Sequence, residues 1–549
     1  MTADLIILNA RVLTMDDDAP RAEAVAVSGN RILALGDSAT VRALGDEGTR
    51  LIDAQGATVL PGFVESHLHL FSGAYGQTLL QLAEVWGFDA LQAAVRAFAA
   101  QKPDEALLLA QGADYEILGT GTRLDRHVLD AICPDRPLAV MTYDFHTLFA
   151  NTAALRVAGL LQGRDLPDGN EVVLGQDGMA TGELREKFAL LPVLELRTKG
   201  GREMLGMSGI EPPVPPTADE WRDDVNVLKS GLRFAASKGI TSMHNMDGNR
   251  YLLDLLRCVE TEGDLIARVS VPFHYTREMP LSELGRASAM AVDFTGEKLT
   301  SNRVKVFVDG VIESGTAAML ADYADKPGLR GDPIFDAATF AEAAVEIDRR
   351  GMQISVHAIG DAAVRITLDG YEAARRANGP RDSRHRIEHI EMIDPADIPR
   401  FAEMGVIASF QPLHAPVGEG PTTRSIGPDR APHAYAWRVL HETGAVVAFS
   451  SDWPIVPVDP LLGIQTAMTR QPHLAGLPDH RLGLMDVLKA FTCNGAYAGF
   501  MEQHTGTIRP GMLADLVLLS ANLEATAHDQ IASLGIAMTI CDGQITHEA

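Results

Sequence analysis

The sequence predicts an α/β chain: a (β/α)8 TIM barrel with a large insertion after strand 1 and a small β-sandwich domain built from both termini. Three observations predict it. An apolar strand ends in His67-Leu68-His69, amphipathic helices then alternate with apolar strands across a glycine, and short β-rich runs occupy both ends of the chain. At 549 residues the chain is too long for one ordinary core and has room for one large domain with additions.

The N-terminal stretch reads as all-β. Residues 4–15, 22–35 and 49–53 carry short apolar runs separated by Gly, Asn and Asp. The C-terminus has the same character in residues 514–519 and 537–540, followed by the turn Asp542-Gly543. Neither end holds enough strands for a closed sheet. Residues 1–60 and 505–549 are therefore expected to build one composite β domain that brings the termini close together.

Residues 61–504 are expected to form the barrel. Strand one runs into His67 and His69. From Asp219, the residues Trp221, Val225, Leu228, Leu232 and Ala236 recur at helical spacing; Gly239 follows, then the apolar strand 240–244. The same order recurs at Gly351 before 353–357, at Gly405 before 406–410 and at Gly444 before 446–450. Glycine just past a helix accepts the left-handed conformation that ends it. Three further runs, 268–275, 304–309 and 386–389, bring the count to about eight strands, as a (β/α)8 barrel requires. Residues 71–218 interrupt the alternation with strands of their own at 107–111 and 138–143. Such an insertion is expected over the C-terminal mouth, where barrel loops build the active site, as a substrate-side cap. Pro212-Pro213-Val214-Pro215-Pro216 reads as the stiff link back.

Composition narrows the function. The chain is 46% hydrophobic and 22% charged, the balance of a soluble globular protein. No apolar run is long enough to span a bilayer. Residues 1–8 lack a basic region and read as a strand rather than a signal peptide, which makes a cytoplasmic location the expectation. A net charge of -26, from 47 Lys+Arg against 73 Asp+Glu, argues against nucleic acid and anionic membranes as partners. The charge does not identify a substrate; a small-molecule substrate is the expectation from the site residues below. Cys133, Cys258, Cys493 and Cys541 are scattered and read as buried reduced thiols.

The chemistry-bearing residues fall in or at the ends of these strands. Alternate strand residues share a face, so His67 and His69 point the same way and can grip one divalent cation. One such pair is a weak signal. His357 ends strand five, His389 ends strand six, and Asp452 ends strand eight in Ser450-Ser451-Asp452-Trp453-Pro454. Four imidazoles and a carboxylate converging at one barrel mouth make a divalent metal site. Lys305 in strand four is the odd member, since burying an unpaired ammonium is costly.

These residues resemble the amidohydrolase superfamily, specifically its YtcJ-like branch, which includes N-substituted formamide deformylases. The matching pieces are Pro61-Gly62-Phe63-Val64-Glu65-Ser66-His67-Leu68-His69, Val304-Lys305-Val306-Phe307-Val308-Asp309-Gly310 and His357-Ala358-Ile359-Gly360-Asp361. Arg386-Ile387-Glu388-His389, Gln411-Pro412, Ser451-Asp452-Trp453-Pro454 and the tail 506–515 continue the match. In the insertion, Asp144-Phe145-His146 through Asn151 and Thr181-Gly182-Glu183-Leu184 are similar too. Two positions depart: Glu65 stands where many relatives have Asp, and Glu313-Ser314-Gly315 precedes Thr316 where an arginine is more usual.

The resemblance implies two divalent metal ions. His67, His69 and Asp452 would hold one, His357 and His389 the other, and a CO2-derived carbamate on Lys305 would bridge them. Zinc is the expected ion, although these ligands also accept other first-row metals. The metals would supply hydroxide at neutral pH and polarise a carbonyl, with Asp452 as general acid/base passing the proton to the leaving nitrogen. The expected reaction is hydrolysis of an amide-type C–N bond in an N-acyl or N-formyl amine. The alternatives are an esterase, lactonase or cyclic-amide hydrolase on the same site, a single-metal centre, or a catalytically silent metal-binding regulator. A heterocycle deaminase fits less well, because the fourth residue of His357-Ala358-Ile359-Gly360 is glycine rather than glutamate.

Around this set, His146 is a candidate donor to the substrate carbonyl or a packing residue of the cap. Asp114, Tyr115 and His414 are pocket candidates, and Trp453 either walls the pocket or joins the core. His244 and His274 read as structural. Asp361 is expected to cap the helix after His357. Apolar stretches in the cap, 71–80 and Phe188, Leu190 and Leu191, suit an apolar or aryl substituent. Dimers are common among similar folds, so a homodimer is the assembly to test.

Overall fold

In a computed structural model, residues 2–549 are described except 120, 144, 146, 167–169, 198–200, 419 and 473. The chain groups into two compact units. One comprises Met1–Leu70, Gly206–Glu211 and Leu228–Ala549, and the other Phe71–Leu205 and Pro212–Val227.

In the first unit the two ends of the chain meet in one sheet. Its order is Gln544–Glu548, Ile536–Cys541, Leu516–Leu519, Thr58–Pro61, Arg11–Leu13 and Arg21–Ala22. Thr58–Pro61 runs antiparallel to Leu516–Leu519, with Leu60 opposite Val517. A second sheet joins Leu5–Leu8 to Ala24–Ser28 and Arg50–Asp53. Ile7, Val12, Val25, Val59, Leu516 and Met538 share one buried cluster. Each such side chain removed from water contributes about 1.5–3 kcal/mol, and no single terminal segment supplies enough of them alone.

The remaining strands of this unit are parallel. We label them β1 (Phe63–Leu68), β2 (Ile240–Asn245), β3 (Arg268–Ser270), β4 (Arg303–Phe307), β5 (Gln353–Ala358), β6 (Arg386–His389), β7 (Ile407–Phe410) and β8 (Val447–Phe449). β1 pairs with β2 and β2 with β3. The expected run 268–275 is split at Pro272, which cannot donate to a ladder; its second piece, Phe273–His274, pairs with β4. Pairing continues from β4 through β5, β6 and β7 to β8. A parallel bridge between Leu68 and Trp453 returns it to β1. The helix Ile398–Met404 ends on Gly405, whose left-handed φ of 67° only glycine adopts without strain.

One buried ion pair ties β3 to the C-terminal strands. Arg268 Nε donates to Asp515 Oδ2 at 2.8 Å, and its Nη2 reaches Asp515 Oδ1 and Asp542 Oδ1, both at 3.1 Å. Arg268→Met leaves Asp515 buried and uncompensated, and should cost about 3–5 kcal/mol, read as a lower urea midpoint.

The second unit has its own mixed sheet, ordered Glu171–Leu174, Ala180–Arg185, Thr147–Ala150, Leu138–Thr142, Leu108–Ala113, Leu80–Gln81. One of its cores gathers Leu109, Met141, Leu148, Leu184, Leu190 and Val193. Residues 206–211 belong instead to the first unit, where Gly248 N donates to Gly206 O at 3.0 Å and Asn249 Nδ2 to Ile210 O at 2.7 Å. Among the described residues, no helix is long and apolar enough to cross a membrane.

Candidate metal centre

β1 carries His67 and its immediate continuation carries His69, and both rings reach Asp452 after β8. His67 Nε2 and His69 Nε2 each lie 3.2 Å from Asp452 Oδ1. The His389 ring centroid is 4.8 Å from that of His67 and 4.5 Å from that of His357. One ligand atom each from His67, His389 and Asp452 lies within 4.8 Å of the others. Lys305 is fully buried beside them, with Nζ 4.8 Å from the Phe307 ring centroid and no hydrogen-bond partner.

Backbone straps hold this end of the strands. Asp452 N donates to His67 O and His69 N to Trp453 O, both at 2.8 Å. Glu65 Oε1 accepts from Ser451 N at 2.6 Å and Ser451 Oγ at 3.1 Å. Asp452 has φ 65° and His389 φ 77°. Left-handed backbone outside glycine costs about 1–3 kcal/mol and persists only where its surroundings enforce it. At His389 it breaks strand alternation, so that Glu388 and His389, neighbours in sequence, both meet His67.

The hydrogen bonds fix which ring nitrogens are free. His67 Nδ1 donates to Glu388 Oε2 at 2.9 Å. His357 Nε2 donates to Gly310 O at 3.0 Å. Ser450 Oγ donates to Phe410 O at 3.3 Å and accepts from Gln411 Nε2 at 2.9 Å, which turns Gln411 Oε1 toward His389 Nδ1, its donor at 2.8 Å. In the neutral imidazoles, lone pairs therefore remain on His67 Nε2, His389 Nε2 and His357 Nδ1. His67 Nε2 and Asp452 Oδ1 are buried and make no hydrogen bond. The two atoms stand 3.2 Å apart. A divalent cation between them satisfies both, and the donor set of imidazole and carboxylate suits one.

The charges sharpen this. Burial works to raise Asp452, but His67 and His69 outweigh it and hold its carboxyl well below the usual range. Burial likewise opposes the charge on Glu388, which Arg386 and His67 keep ionised. Burial and the Lys305 ammonium push His357 down to about 3. Burial pushes Lys305 itself down to about 8, against the pull of Glu388 and Asp452. At His69, Asp247 and Asp452 overcome burial and raise the ring to about 9, a field that favours positive charge there.

The other expected positions fall as follows. His414 stacks over His389 at 5.8 Å, with Nε2 3.8 Å from Asp452 Oδ2 and Nδ1 3.7 Å from Glu391 Oε1. Trp453 is buried, its ring 5.7 Å from that of Phe234. Asp114 and Tyr115 belong to the second unit, where Asp114 Oδ1 accepts from Glu116 N and the Tyr115 hydroxyl donates to Thr147 Oγ1. His146 and Asp144 lie outside the described residues. His244 Nδ1 accepts from Arg386 at 2.9 Å, a structural contact.

Asp361 corrects an expectation. It is the first residue of the helix Asp361–Asn378 rather than its cap, and its carboxylate accepts from Leu320 N at 2.8 Å instead. The cap position is Gly360, where a Cβ would stand 2.0 Å from Ala318 O. No glutamate fits there. Sequence reading also missed Glu388, Gln411 and Asp247, which contact the rings of His67, His389 and His69.

A model of the Amidohydrolase family matches residues 50–547. The chain belongs to this family. It is 30% identical to YtcJ of Bacillus subtilis (strain 168) over 98% of both chains. It is 24% identical to the N-substituted formamide deformylase of Arthrobacter pascens, over 99% of this chain and 98% of that one. Among solved structures, an uncharacterized metal-dependent hydrolase from Pyrococcus furiosus superposes with a TM-score of 0.73 at 25% identity, covering 94% of this chain and 98% of the other. The resemblance carried by the motifs around His67, Lys305, His357, His389 and Asp452 is thus a family membership.

Proposed function

We propose that this amidohydrolase is a metal-dependent hydrolase that cleaves an amide-type C–N bond in an N-acyl or N-formyl amine. The observation that carries the reading is the 3.2 Å approach of His67 Nε2 to Asp452 Oδ1, two buried atoms that make no hydrogen bond. The parallel circuit β1 to β8 is read as a (β/α)8 barrel, the terminal sheets as a β-sandwich and 71–218 as its cap. His67, His69 and Asp452 would hold one zinc and His357 and His389 a second, with Lys305 bridging as a carbamate. An amine that is buried without a hydrogen-bond partner supports that bridging role. When bound, the metals supply Lewis-acid activation of water and of the scissile carbonyl.

The chain's own residues do the rest. Asp452, ionised and strapped by His67 O, takes a proton from water and returns it to the leaving nitrogen. His414 and Trp453 are read as substrate contacts beside it, and Asp114, Tyr115 and the catalytic His146 as contributions of the cap. The steric block at Gly360 supports hydrolysis over deamination, since the glutamate of the deaminase pattern has no space. The formamide deformylase relative supports the formyl or acyl choice. A cytoplasmic homodimer acting on a small molecule completes the reading. The test is zinc-loaded protein against matched N-formyl amines, N-acetyl amines, esters and lactones. Turnover of esters or lactones alone would replace the amide assignment.

A further inference from the structure

The groups behind the four histidines are not alike. His67 Nδ1 donates to the Glu388 carboxylate at 2.9 Å, and His69 Nδ1 lies 3.5 Å from Asp247 Oδ1. Neither Asp247 oxygen has a hydrogen-bond partner, and Asp247 is 1% exposed, so its charge has the His69 ring to answer to. On the other side the hydrogen-bond acceptors are neutral, and the Asp309 carboxylate near them lies 3.8 Å from His357 Nε2 and accepts from Ala318 N, Ile359 N and Gly360 N instead. His389 meets the Gln411 amide oxygen at 2.8 Å and His357 the Gly310 carbonyl at 3.0 Å.

An imidazole whose N–H donates to a carboxylate is polarised toward imidazolate, and its other nitrogen becomes a stronger ligand. A charge-assisted hydrogen bond such as that of His67 to Glu388 is about twice as strong as a neutral one, and at His69 the buried Asp247 charge acts across 3.5 Å without one. We propose that the two metal positions are unequal: the one built on His67 and His69 binds tightly because Glu388 and Asp247 back it, and the one built on His357 and His389 binds weakly because an amide and a carbonyl back it. This rests on the binuclear reading above. Glu388 shares its charge with Arg386, whose Nε lies 2.9 Å from Oε1, which tempers its effect without cancelling it. Gln411 is locked in its neutral role by Ser450, so the weakness of the second position is built in rather than incidental.

The test is a zinc titration of metal-free, full-length protein against a chromophoric chelator, with no turnover measured. Wild type should bind in two separated steps. Glu388→Gln should weaken the first step by about 10–100-fold, the usual effect of altering a group behind a ligand. Because that variant also leaves Arg386 unpaired, Gln411→Glu provides an independent arm. Its carboxylate can accept from the Ser450 hydroxyl once that proton turns from the Phe410 carbonyl, and it should strengthen the second step by about 10-fold or more. Two equal steps, or a second step indifferent to Gln411→Glu, overturn the inference and leave the metal centre standing. A single zinc that tightens with Gln411→Glu and ignores Glu388→Gln overturns it too. Protein that binds no zinc overturns both readings.

Discussion

Asp452→Asn should lower kcat and kcat/KM together by about 10²–10⁴-fold, the range set by losing a positioned general acid–base group. The asparagine amide is nearly isosteric. Asparagine tolerates left-handed backbone, and Asp452 sits at φ 65°. The bond from residue 452 N to His67 O uses the main chain and survives. The fold is therefore kept while the proton acceptor is lost. His67 and His69 remain, so bound zinc should fall far less than turnover. Kinetics on an N-acyl amine, with zinc measured on the same sample, separate the two effects. A variant with wild-type kcat would remove Asp452 from the chemistry, and a binding or regulatory role would survive the change intact.

Stripping the metal should abolish turnover and destabilise the fold. A ligand that binds only the native state stabilises it by about 4 kcal/mol when present at a thousandfold excess over its Kd. Here the loss has a local cause. Without a cation, His67 Nε2 and Asp452 Oδ1 stay buried 3.2 Å apart with no hydrogen bond to satisfy either. Chelation should lower the urea midpoint, and added zinc should restore both midpoint and turnover. Turnover that continues in protein free of metal by elemental measurement would refute the proposed chemistry.

The positions of His67, His69, His357 and Asp452 were legible in the sequence because each follows a strict local rule. Period-2 alternation marks His67 and His69, and glycine-stopped helices locate the strands that end at His357 and Asp452. It could not reveal the partners. Glu388 adjoins His389 in the chain but serves His67, 321 positions away, through cross-strand contact and a φ of 77° at His389. A usable signal existed: Arg303 and Lys305, and Arg386 and Glu388, recur two apart in apolar strands, the spacing of a polar layer on one buried face. Asp361 misled because its type suits a cap, while the need of Leu320 N, forty-one residues away, decided its use.

The sheet shared by the chain ends imposes an order on synthesis. Thr58–Pro61 finds its antiparallel neighbour only in Leu516–Leu519. At about 5–20 residues per second, the ribosome needs about 20–90 s to travel between them. During that interval one edge of the early strands is bare, a template for any other extended chain. Nascent protein should thus depend on chaperone shielding until the last fifty residues emerge, and premature termination upstream of residue 516 should yield aggregates rather than a trimmed enzyme.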